Sequence, residues 1–231
     1  MGQDIKLTAS DDFKLGAYRA DPAGKPKAAI VVIQEIFGVN HHIRSVCDRL
    51  AAAGYVAIAP SIFDRIEPNF QCGYSPDEIA NARKFVAAPD WAAMQLDTQA
   101  AIDAVKAVGP VGIIGFCLGG SIAFVAATKL SGLSAAVGYY GGAVVRFADD
   151  KPKVPTQLHF GEKDAGIPLT DVETIKAKRP DVEIFVYPGA QKVVIPAAGH
   201  AVNIDQPQAF IDAVLPFLDG LDNKVAQKAA S

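Results

Sequence analysis

The chain has 231 residues, half of them apolar and one-fifth charged, which is the make-up of a folded globular protein and excludes a disordered or fibrous one. A net charge of −3 and the lack of any Lys/Arg run argue against a nucleic-acid or anionic-membrane partner. Three cysteines without CxxC spacing (Cys47, Cys72 and Cys117) suit neither a disulfide framework nor a zinc site, so a reducing, cytoplasmic setting without metal is expected. The first ten residues are polar, and no apolar run reaches the roughly 18 residues that span a bilayer.

In chain order, Asp4–Thr8 and Phe13–Arg19 flank the turn-forming Ser10-Asp11-Asp12 and predict a hairpin. Ala28–Ile33 is a continuous apolar run, the pattern of a strand covered on both faces. Ile43, Val46, Cys47 and Leu50 recur at helical spacing, and Gly54 marks the stop. Tyr55–Ala59 is a second buried strand, Ser61–Ser75 a loop, and Asp77–Ala88 and Trp91–Val108 two helices. Val111–Phe116, Ala135–Tyr139, Thr156–Phe160 and Val182–Tyr187 are further strands. Helices are expected at Leu118–Lys129, Leu169–Lys178 and around Phe210–Leu218, with a frayed tail over Asn223–Ser231. This alternation predicts one α/β domain over residues 1–231, its mostly parallel sheet flanked by helices on both faces.

The most informative stretch is Gly115-Phe116-Cys117-Leu118-Gly119, a G-x-C-x-G between an apolar strand and a helix. That is the setting of the nucleophile elbow in the α/β-hydrolase fold, where a sharp reversal exposes one reactive side chain and flanking glycines let strand and helix approach. A helix N-terminus also favours a thiolate. In this architecture an acid and then a histidine follow the nucleophile on loops after later strands. Asp164, in Gly161-Glu162-Lys163-Asp164, and His200, in Gly199-His200, meet that order. Asp164 would orient the imidazole and His200 would act as base. Taken singly, each has a plainer reading: Cys117 as a structural cysteine, Asp164 as a turn cap, His200 as a surface residue. His41 and His42 open a helix after Asn40, itself a plausible cap, and are expected to be solvated. His159 falls within a strand and is expected to be packed.

Two backbone donors are needed for an oxyanion. Leu118 follows the nucleophile and Ile36 lies on the loop after the third strand, so their N–H groups are the candidates. Glu35, at the end of an apolar strand, must be paired or protonated, and satisfying loop amides is its plainest role. Phe37, Tyr139 and Tyr140 are candidates to line the pocket, with simple core packing as the alternative.

Together these residues resemble the dienelactone hydrolase (carboxymethylenebutenolidase) family. The match runs through Gln34-Glu35-Ile36-Phe37-Gly38-Val39-Asn40, the Gly115–Gly120 elbow, Ala136–Gly141, Gly161–Asp164 and Gly199-His200. The resemblance implies opening of a lactone or small ester through a Cys117–His200–Asp164 triad and a thioester, with no cofactor. It also implies that Glu35 contacts the resting sulfur and joins in thiol activation when substrate arrives. Two features depart from the pattern. The arginines that clamp a substrate carboxylate fall at Asn81, two residues from Arg83, and at Asn203 or Ile204. Gln191–Ala198 is an extra segment before His200. A monomer acting on a small molecule is expected. Other readings are a general esterase or thioesterase, a binding module with a displaced base, and a redox role for Cys117 with Cys72.

Overall fold

The computed structural model describes residues 2–189. Strands β1 (Gln3–Thr8) and β2 (Lys14–Ala20) form the expected hairpin. There follow β3 (Ala29–Ile33), α1 (His41–Ala52), β4 (Val56–Pro60), α2 (Pro76–Lys84) and α3 (Trp91–Val105). Then come β5 (Val111–Phe116), α4 (Leu118–Lys129), β6 (Ala135–Tyr139), α5 (Val144–Phe147), β7 (Thr156–Gly161), α6 (Leu169–Lys178) and β8 (Glu183–Tyr187). The strands form an eight-stranded sheet in the order β1-β2-β4-β3-β5-β6-β7-β8. The hairpin joins β4 antiparallel, and all pairings from β4 to β8 are parallel.

The central strands are apolar throughout because helices cover both faces. Alternate residues separate cleanly. Ile30, Val32, Ala57 and Ala59 pack with Ile43, Val46 and Leu50 of α1, whereas Val31, Ile33, Ile58 and Ile113 pack with Ile102 and Val105 of α3 and Ile122 and Ala126 of α4. The carboxyl ends of β3, β5, β6 and β7 therefore gather four loops at one edge of the sheet, where parallel α/β folds place their sites.

Three boundaries differ from the sequence pattern. Helix α2 stops at Lys84 and not near Ala88, because Phe85 turns inward to meet Phe63 at 5.1 Å and Phe70 at 4.1 Å. Pro89 disfavours helical backbone just before it. The end of α3 tightens into a 3₁₀ turn, Lys106–Val108, before Gly109 at φ +146°. Helix α5 has only four residues, too few for any periodicity to reveal it. The helix expected around Phe210–Leu218 and the tail lie outside the described residues.

Asn40 caps α1 as expected, accepting from the N–H groups of His42 and Ile43. His41 is exposed, but His42 is buried and meets Phe116 edge-on at 6.2 Å, against the expectation that it is solvated. The reason is helical spacing, which puts His42 on the same inward stripe as Val46 and Leu50. His159 is packed, as expected. Its ring lies between Tyr139 at 4.4 Å and Phe185 at 4.9 Å, in a row across β6, β7 and β8. Nδ1 of His159 shares a hydrogen bond of 2.8 Å with the Tyr187 hydroxyl.

Burial is the main influence on both buried imidazoles and lowers each from 6.5 to about 4. The fold thus favours the neutral rings. Their stabilising effect is intact above pH 6.5 and is lost as pH falls toward 4, where the unfolded chain takes up protons that the native state refuses. Urea unfolding at pH 7 and pH 5 is expected to differ by on the order of 1–2 kcal/mol per histidine, and His42→Gln should flatten its share of that slope.

Candidate active site

Strand β5 ends at Phe116 and α4 begins at Leu118, so the whole reversal is made at Cys117, whose backbone sits at φ 54°, ψ −114°. Few non-glycine residues hold a positive φ, and strain of this kind persists only where the surroundings over-determine it. Here they do. The Cys117 N–H donates to the Tyr139 carbonyl at 3.0 Å, and its own carbonyl accepts from Ser121 at 3.3 Å. Glycines let backbone meet backbone on every side. A Cβ on Gly115 would overlap the Gly119 carbonyl, one on Gly119 the Ile33 and Gln34 carbonyls, and one on Gly120 the Tyr139 carbonyl. The thiol is half-buried at the head of the twelve-residue α4, in the field of its N-terminal N–H groups.

The other two sulfurs sit differently. Cys47 is fully buried in α1 and burial pushes its thiol far up, while burial aided by Glu78 pushes Cys72 up to about 11.

The loop after β3 approaches the elbow because Gly119 lacks a side chain. Gln34, fully buried, holds this loop: its Oε1 accepts from the Ile62 N–H at 3.1 Å and its Nε2 donates to the Glu35 carbonyl at 3.3 Å. Ile36 and Leu118 both border the cleft that contains Cys117. As the first residue of α4, Leu118 has no carbonyl one turn earlier for its N–H.

Glu35 is 1% exposed, and the Tyr140 hydroxyl donates to its Oε1 at 3.2 Å. Tyr140 itself holds φ 39° at the end of β6. Burial, then the charge of Glu35, drives the Tyr140 hydroxyl well above its usual range and Tyr74 up to about 12. Tyr74 accepts from Asn40 Nδ2 at 3.2 Å, and the same nitrogen donates to the Cys72 carbonyl at 3.2 Å. A chain of polar contacts therefore runs from the α1 cap past Tyr74 toward the carboxylate beside the elbow. Tyr74 escaped the sequence reading because nothing in a loop pattern shows which residue folds back.

Asp164 is buried on the loop after β7. Its Oδ1 accepts from the Gly166 N–H at 2.8 Å, and among the described residues no donor bonds to Oδ2. Gly166 and Ile167 border the cleft directly beyond it. The cleft has a volume of about 320 Å³ and is bordered by Ile36, Trp91, Cys117, Leu118, Tyr140 and Arg146 among others. A hollow of about 350 Å³ beside the hairpin is slightly larger, but Lys6, Arg44 and Gln71 border it and none of the three cysteines lines it.

The structure thus gathers Cys117, Ile36, Leu118 and Tyr140 around one space, with Glu35 bonded behind Tyr140. Two predicted lining residues are not there. Phe37 packs edge-on against Tyr74 at 4.7 Å, and Tyr139 lies between Phe116 and His159, both in the core. Asn81 is on the exposed face of α2, its Oδ1 accepting from Lys84 Nζ at 3.3 Å, away from the cleft. His200 and Asn203 lie outside the described residues. Trp91 and Arg146 border the cleft without having been singled out, since one opens a helix and the other sits on the unforeseen α5.

The sequence matches the model of the dienelactone hydrolase family over residues 15–213. A carboxymethylenebutenolidase of Pseudomonas putida is 33% identical over 184 residues, covering 75% of this chain and 76% of that protein. A Synechocystis protein, provisionally named carboxymethylenebutenolidase, is 36% identical over 214 residues, or 82% and 87% of the two chains. The crystal structure of a protein from Klebsiella pneumoniae, provisionally named a dienelactone hydrolase, superposes with a TM-score of 0.70 at 29% identity, over 89% of this chain and 90% of that one. An eight-stranded, mostly parallel sheet with a strained elbow at its carboxyl edge, together with these matches, makes the chain a member of the dienelactone hydrolase family, α/β-hydrolase-fold enzymes acting on esters and lactones.

Proposed function

We propose that the chain hydrolyses a lactone or small ester through a thioester on Cys117, with His200 as base and Asp164 as its orienting carboxylate. The observation that carries this reading is the strained backbone of Cys117, at the head of α4 and in one cleft with Ile36 and Leu118. As substrate enters, the thiol proton passes to His200, which becomes the imidazolium, and Glu35 takes part in this activation, the role that family resemblance implies. Sulfur attacks the carbonyl carbon, and the oxyanion receives hydrogen bonds from the Ile36 and Leu118 N–H groups, each worth about 3–4 kcal/mol in comparable sites. The ring or ester C–O bond then breaks, and its oxygen takes a proton from the His200 imidazolium. His200 next removes a proton from water, which attacks the thioester, freeing the acid and restoring the sulfur. Base assistance of this kind contributes about 10²–10⁴-fold. Asp164 has Oδ1 engaged by Gly166, which leaves Oδ2 for the imidazole.

In steady-state assays on a lactone such as dihydrocoumarin, Cys117→Ala is expected to lower kcat/KM by about 10³-fold or more, and His200→Ala and Asp164→Asn by about 10²-fold or more. Parental turnover in a folded Cys117→Ala enzyme would refute the thioester. Tyr140→Phe removes a donor from a buried carboxylate and should cost about 1–3 kcal/mol in urea unfolding. No change in the unfolding midpoint would mean that the hydroxyl does not hold Glu35.

A further inference from the structure

The loop that carries Ile36 is bracketed by two buried amides, Gln34 at its start and Asn40 at its end. Both reach across to the same downstream stretch, residues 61–75. Gln34 Oε1 takes the Ile62 N–H at 3.1 Å. Asn40 spends its amide completely. Its Oδ1 accepts from the N–H groups of His42 and Ile43 at 3.1 and 3.3 Å, and its Nδ2 donates to the Cys72 carbonyl and the Tyr74 hydroxyl, each at 3.2 Å. An asparagine side chain has only those two acceptor sites and two donor hydrogens.

Capping α1 needs the oxygen alone, and Ser or Asp would serve as well. The two donors are surplus to that task, and they fall on residues 32 and 34 positions away in sequence. What they secure is the far side of the Ile36 loop. The Cys72 N–H donates to the Phe37 carbonyl at 3.0 Å, Gly38 and Gln71 form an antiparallel bridge, and Tyr74 meets Phe37 edge-on at 4.7 Å. Gly38, at φ +75°, permits the approach, since a Cβ there would overlap the Phe70 carbonyl. Residues 70–74 are thus a short ribbon laid along residues 36–39, and Asn40 pins it. Glu35 has anchors of its own, with the Tyr140 hydroxyl on its Oε1 and Gln34 Nε2 on its carbonyl. Among the described residues the Ile36 N–H makes no hydrogen bond to the backbone. Its direction is therefore left to the ribbon.

We propose that Asn40 is a positioning residue: through Cys72 and Tyr74 it fixes the ribbon that aims the Ile36 N–H at the substrate oxyanion, a task separate from its capping of α1. This inference rests on the thioester reading with Ile36 as an oxyanion donor, and its test separates the two.

Asn40→Ser keeps a capping oxygen and removes both donors. Two reactions of Cys117 are followed by mass spectrometry of its own peptide after acid quench, so that Cys72 does not contribute. Acetylation by 4-nitrophenyl acetate passes through an oxyanion before 4-nitrophenolate leaves, whereas alkylation by iodoacetamide displaces iodide and forms none. In Asn40→Ser the acetylation rate is expected to fall about ten- to hundredfold, with alkylation within about twofold of the parent. Lactone hydrolysis should lose kcat by a similar factor with KM little changed, because the donor acts in the transition state. Tyr74→Phe keeps the ring on Phe37 and the Cys72 bond, and should slow acetylation about three- to tenfold while sparing alkylation. Unchanged acetylation in folded Asn40→Ser, or an equal loss in both reactions, overturns the proposal. Where the serine variant does not fold, Tyr74→Phe decides on the same terms. Failure of the underlying reading looks different: Cys117 of the parent would take no acetyl group, or Cys117→Ala would hydrolyse the lactone as the parent does.

Discussion

A single residue with a left-handed backbone, Cys117, is the constraint around which this end of the molecule is arranged. Its conformation is costly on its own, on the order of 1–3 kcal/mol. It is held because β5, β6, α4 and the loop after β3 approach so closely that only hydrogens fit at Gly115, Gly119 and Gly120. The same contacts that enforce the turn bring the Ile36 loop against the head of the helix. The strained turn and the approach of the Ile36 loop to the head of α4 are therefore one packing event.

Behind that turn the molecule keeps a carboxylate out of water. Such burial is tolerated only with polar partners, and the partners come from distant parts of the chain. Tyr140 at the end of β6 donates to Glu35, and Tyr74, steadied by Asn40, stands near enough for its hydroxyl to feel the carboxylate's charge. The long segment between β4 and α2 is secured elsewhere as well. Arg65 spans Asp97 on α3 and Asp11 in the hairpin turn, and Gly38 admits the backbone of Phe70 where a side chain would not fit. A loop that reads as featureless is one of the more heavily anchored parts of the fold.

That contrast explains what could be read from sequence. Strands such as Ala29–Ile33 and Val111–Phe116 are unbroken apolar runs, so their placement at the centre of a parallel sheet follows from composition. The elbow was legible because its glycines answer a local steric demand. Side chains whose role depends on long-range folding were not. His42 carries the same polar label as its exposed neighbour His41, and only the register of α1 turns one inward. Phe37, Tyr139 and Tyr140 are alike on paper. The pleat and the turn after β6 send Tyr139 into an aromatic row and Tyr140 toward Glu35. Arg146 was invisible because four residues of helix carry no period.

Helix α5 meets the elbow through one residue, Ser121, whose N–H donates to the Cys117 carbonyl. It lies in the connection between β6 and β7 and contributes no strand pairing, and its link to α4 includes a hydrogen bond from the Ala143 N–H to the Ser121 hydroxyl. Residue 146 itself is exposed and pairs with no strand, so its side chain can change without disturbing sheet register. The turn at Cys117 is thus written into the framework by backbone contacts, whereas the short helix beside the same cleft presents a side chain that the sheet does not constrain.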